Sequence, residues 1–122
     1  MAEEVYLSLD KTYILVRSTG SPSLDEMKKT LSRIIELNNK HKVNKVLVDG
    51  RDRNEQPPML DIYSGGELLS NMMGGGIRIS ILVAEITDNH HFFETVALNR
   101  GADVAYFQEE DSALKWLLLE GF

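Results

Sequence analysis

Short β-type runs alternate with helix-length amphipathic segments along this chain, and that rhythm constrains its fold more than any other feature. Val5, Leu7 and Leu9 alternate with Tyr6 and Ser8, the two-residue period of a half-buried strand. Thr12–Arg17 follows at once, rich in β-branched and aromatic residues. The break at Asp10–Lys11 is short enough for an antiparallel hairpin, although the dipeptide is a weak turn former. Ser23 and Glu26 have capping-box spacing, and Leu24, Met27, Leu31, Ile34 and Ile35 then recur on one helical face.

The second half repeats the pattern. Val43–Asp49 has the continuous apolar centre Val46-Leu47-Val48, which suits a strand covered on both faces. The spacing predicts helices from Pro58 through Met73, from Thr87 or Asp88 to Gly101, and from Glu110 or Asp111 onward. In the last of these, Ala113, Leu114, Leu117 and Leu118 form the buried side. Ile77–Ala84 and Val104–Phe107 read as strands between them. The order β-β-α-β-α-β-α-β-α implies a mainly parallel five-stranded sheet with one antiparallel edge strand and four helices. No linker or repeat divides the 122 residues, so a single domain over 1–122 is expected.

Several motifs carry the likeness to a known family. Lys45-Val46-Leu47-Val48-Asp49, Phe93 through Gly101, and Ala113-Leu114-Lys115-Trp116-Leu117 together resemble small bacterial STAS-like domains. These are relatives of anti-sigma-factor antagonists, with a more distant similarity to CRAL-TRIO lipid carriers. In the antagonist subgroup, the resemblance implies a phosphorylatable serine opening the helix after the third strand. Here that position reads Pro57-Pro58-Met59-Leu60-Asp61, with no serine or threonine. The resemblance implies no catalytic residues.

Composition narrows the function classes. The absence of cysteine excludes disulfides, thiolate metal sites and thiol catalysis, and it fits a cytoplasmic protein. A formal charge of −6 repels nucleic-acid phosphates, so no nucleic acid is expected as partner. The apolar stretch around Ile77–Ile86 is too short for a transmembrane segment. His90 and Glu94 share a helical spacing but leave a zinc site incomplete, and Gly74-Gly76 precedes a strand where a phosphate loop would open a helix. No metal, cofactor or catalytic residue is therefore assigned.

The candidate binding residues lie at the carboxyl ends of the parallel strands, where open α/β sheets place their ligands. Arg51 and Arg53 can hold a carboxylate or phosphate through paired N–H donors. Asp49, Asp52 and Glu55 among them suit an internally salt-bridged Asp49–Pro57 loop equally well. Asn89, Phe92 and Phe93 open the third helix and can border the same end of the sheet; helix–helix contact is the alternative. The expectation is a non-enzymatic interaction or regulatory module with a protein partner. The alternative is a small-molecule or lipid-binding domain, in which Met59, Met72 and Met73 yield around a small apolar ligand. A homodimer is a further expectation, through the free edge of the hairpin.

Overall fold

The computed structural model describes residues 3–20, 23–53, 78–86 and 103–119. They form β1 (Glu3–Leu7), β2 (Ile14–Gly20), α1 (Leu24–His41), β3 (Lys45–Arg53), β4 (Arg78–Leu82), β5 (Asp103–Phe107) and α2 (Glu110–Leu117). The strands lie in the order β1-β2-β3-β4-β5. β1 pairs antiparallel with β2, Val5 opposite Val16, and every later pairing is parallel. The mainly parallel sheet with one antiparallel edge is therefore as the alternation predicts. The helices expected over 58–73 and 87–101 lie outside the described residues, which carry two helices.

The hairpin turns where its dipeptide alone is weak because side chains build the turn. Asp10 Oδ1 accepts from the Ser8 hydroxyl at 2.8 Å, the Thr12 hydroxyl at 2.7 Å and the Thr12 N–H at 3.2 Å. Lys11 takes a left-handed φ of 59°, and its N–H donates to the Ser8 carbonyl at 2.9 Å. This network ends β1 at Leu7, two residues before the alternation stops, and leaves Leu9 fully exposed.

Helix α1 begins as its capping box dictates. The Ser23 hydroxyl accepts the Glu26 N–H at 3.2 Å, and the Glu26 carboxylate accepts the Ser23 N–H at 3.4 Å. It ends at Lys42, which adopts φ 59° and ψ 34° and donates its N–H to the Asn38 carbonyl at 2.8 Å. Ile34 and Leu37 are buried, packing with Ile14, Val16, Val46, Ile79, Ile81 and Val104 on one face of the sheet. The Thr30 hydroxyl donates to the buried Glu3 carboxylate at 2.7 Å, tying α1 to the edge strand.

On the opposite face α2 lies over β3, β4 and β5, and its Ala113 and Leu117 pack against Leu47 and Leu82. Val46 and Leu47 are each 1% exposed yet belong to different clusters, which is why this strand shows no polar alternation. Leu118, expected on the buried side, is instead 37% exposed. It follows the last helical residue with φ −94° and ψ 7°, so the helical face no longer directs its side chain.

One boundary moves the candidate site. Gly50–Arg53, expected in a loop, continues β3. β2 runs on to Gly20 and supplies the backbone partners, with Thr19 opposite Asp52 and Gly20 opposite Arg53 after a register shift between Arg17 and Thr19. β4 stops level with Asp49, where Leu82 is its partner, so this extension pairs with β2 alone among the described strands. Backbone pairing with a distant segment outweighs the strongly charged local composition.

Candidate functional site

Parallel strands place their carboxyl ends on one rim, where β2, β3, β4 and β5 finish and α2 begins. Successive side chains of a strand point to opposite faces. Leu47 packs under α2, so Asp49 takes the α2 face. β3 carries one extra residue between Asp49 and Asp52, which brings Asp52, the partner of Thr19, onto that face as well, and the Arg51 side chain turns back to Asp49. Arg17 is the β2 partner of Asp49 and comes up beside it. The rim thus collects Arg17, Asp49 and Arg51.

Asp49 and Arg51 form a two-pronged ion pair. Arg51 Nε donates to Asp49 Oδ1 at 3.0 Å, Nη2 donates to Oδ2 at 2.8 Å, and the Arg51 N–H reaches Oδ1 at 3.3 Å. The planar guanidinium matches the carboxylate plane, which makes this stronger than a single-point contact. The Asp49 side chain is 15% exposed, whereas that of Arg51 is 41% exposed and offers its outer side to solvent.

The electrostatics follow from that geometry. The Arg51 side-chain hydrogen bonds hold the Asp49 carboxyl below the usual carboxylate range, against the opposing effect of desolvation. The Arg51 N–H and the charges of Arg51 and Arg17 act in the same direction. Conversely, the hydrogen bonds to Asp49 raise the Arg51 guanidinium, and the negative charges of Glu110 and Asp52 add to this. Asp49 therefore stays ionised and Arg51 stays cationic through the neutral range. Such a pair can orient or recognise charge, but it is poorly matched to proton transfer, which is best served by a group titrating near the working pH.

Of the sequence candidates, Asp49 and Arg51 come together as a pair. Arg53 sits in β3 opposite Gly20. Asn89, Phe92 and Phe93 lie outside the described residues, as do Met59, Met72 and Met73. Sequence reading missed Arg17 and Glu110. Arg17 carried a usable signal, because Ile14, Val16 and Ser18 alternate inward and leave Arg17 on the opposite face. Its proximity to Asp49 depends on a parallel register that no local pattern specifies. Among the described residues, no group of three histidine, aspartate or glutamate side chains is arranged to hold a metal ion, and no helix is long and apolar enough to cross a membrane. An open groove lined by Tyr6, Leu9, Tyr13 and Leu15, with Ser8 and Asp10 at its polar side, lies at the opposite end of the sheet, beside the hairpin turn.

No protein-family model and no curated protein matches the chain. Its structure is similar to the crystal structure of an uncharacterized protein of the DUF3478 family, with a SpoIIAA-like fold, from Shewanella loihica PV-4. The TM-score is 0.62, over 95% of this chain and 92% of that one, at 15% sequence identity. The likeness spans nearly the whole of both chains and establishes the STAS-like fold.

Proposed function

We propose, from the premise of a STAS-like fold, that this chain is a non-enzymatic interaction module that docks a protein partner at the carboxyl rim of its sheet. The observation that carries the reading is the Asp49–Arg51 pair, held at a bulge of β3 between the paired residues Asp49 and Asp52, with the Arg51 side chain open to solvent. The two-pronged contact, with strand pairing on either side of it, presents these charges in a fixed geometry before binding, which reduces the ordering cost of association. The pair also discriminates between partners: a complementary surface must satisfy both signs, and a surface of one sign meets repulsion. Charges locked in their ionised forms support recognition over catalysis.

Affinity capture from the native cell extract tests this, with the wild-type chain compared against an Asp49→Arg, Arg51→Asp double variant. A third bait, Lys28→Glu on the exposed side of α1, controls for a charge reversal elsewhere on the surface. The expected result is a partner retained by the wild type and by Lys28→Glu but lost from the double variant. Loss from neither bait, loss from both, or the absence of any reproducible partner overturns the reading.

A further inference from the structure

Helix α2 is a cover with a narrow grip. Its buried residues are Ala113 and Leu117, and Glu109 closes its amino end without a side-chain cap. Eight residues are too few to hold a helix in water, so α2 persists because the sheet holds it. The surface beneath it is partly polar. Arg78, Ser80 and Leu82 alternate onto one face of β4. Arg78 touches Trp116, and Leu82 packs with Ala113 and Leu117, so Ser80 between them also faces α2.

The Ser80 hydroxyl is fully buried and has no hydrogen-bond partner among the described residues. Burial without a partner penalises the closed state, and water removes that penalty once the cover lifts. On the other face of the same strand, Ile79 and Ile81 join an aliphatic cluster that carries no such penalty. The two layers are therefore held unequally.

We infer that α2 is a hinged cover that lifts from the sheet as one unit while the strands stay paired, wetting Ser80 and uncovering Leu47 and Leu82. Arg78 is its latch, since Nη1 donates to the Trp116 carbonyl at 2.9 Å and the guanidinium lies 4.7 Å from the Trp116 ring centre. The hinge is Gln108–Glu109, steadied by the Gln108 amide donating to the Ala84 carbonyl at 3.2 Å. Glu110, whose charge acts on Arg51, travels with the helix. Opening therefore alters the field at the rim, although the inference does not depend on what the rim binds.

Native-state hydrogen exchange, followed residue by residue in urea below the unfolding transition, tests it. In the wild type, the amides of Leu117 and Leu118 are expected to exchange at least about tenfold faster than those of β3 and β4, with a weaker urea dependence. Ser80→Ala deletes one oxygen and is expected to slow α2 exchange by roughly tenfold, because the closed state loses its penalty. Quenching of Trp116, the one tryptophan of the chain, is expected to fall in parallel. A common exchange rate for α2 and the strands overturns the inference. So does α2 exchange that Ser80→Ala leaves unchanged, which marks end fraying over a floor that stays dry.

Discussion

The Arg78 guanidinium packs against the Trp116 ring while donating to the carbonyl of that same residue, so one buried cation serves both the ring and the last turn of α2. A positive charge at a helix carboxyl end also complements the helix dipole. Phe107 completes the cluster, its ring centre 5.7 Å from that of Trp116.

Arg78→Ala is expected to destabilise the fold by roughly 2–4 kcal/mol, because it removes a charged hydrogen bond, a cation–π contact and buried packing together. Urea unfolding measures the loss. A red-shifted Trp116 emission at zero urea is expected alongside it. An unchanged midpoint would show that the cluster contributes nothing net.

Lys42→Gly is expected to stabilise the chain by about 0.5–1 kcal/mol. Lys42 holds a left-handed conformation at the end of α1, where its Cβ is crowded and glycine is not. Calorimetry reads the change as a higher Tm. A lowered Tm would mean that the added freedom of glycine in the unfolded chain outweighs the relieved crowding.

Acid is expected to weaken the fold through Asp49 and Asp10, whose folded pKa values are both lowered. For Asp49 the main cause is the Arg51 fork, and for Asp10 it is the Thr12 and Ser8 hydroxyls. A depressed carboxyl contributes stability that is complete above its unfolded value of about 4 and is lost as pH falls through its folded value. Unfolding midpoints measured downward from pH 5 are expected to fall, and to fall less steeply in Asp49→Asn. Equal slopes in the two proteins would remove Asp49 from the account.

The sequence was most legible where local physics decides the outcome. Ser23 and Glu26 fixed the start of α1 because a capping box is closed by residues three apart. Val46-Leu47-Val48 announced a strand covered on both sides. Leu9 misled because alternation continued past Leu7, whereas the Asp10 network had already turned the chain. The extension of β3 through Arg53 was hidden for a different reason: its partner is the end of β2, reached past a bulge in β3 itself, and that partner lies far away in sequence. The site was legible to the same extent. Asp49 and Arg51 are two residues apart and their side chains meet at the bulge of one strand. Arg17 and Glu110 arrive through register and helix placement, which composition does not encode.

The six-residue connection between β1 and β2 is also a kinetic asset. Among the described strand pairs it closes the shortest loop, whereas each parallel pair must wait for a much longer crossover. The hairpin can thus form early and template the slower strands. Asp10→Ala is accordingly expected to slow refolding more than it hastens unfolding, which stopped-flow rates across a urea series would reveal. An effect confined to the unfolding rate would place the nucleus elsewhere.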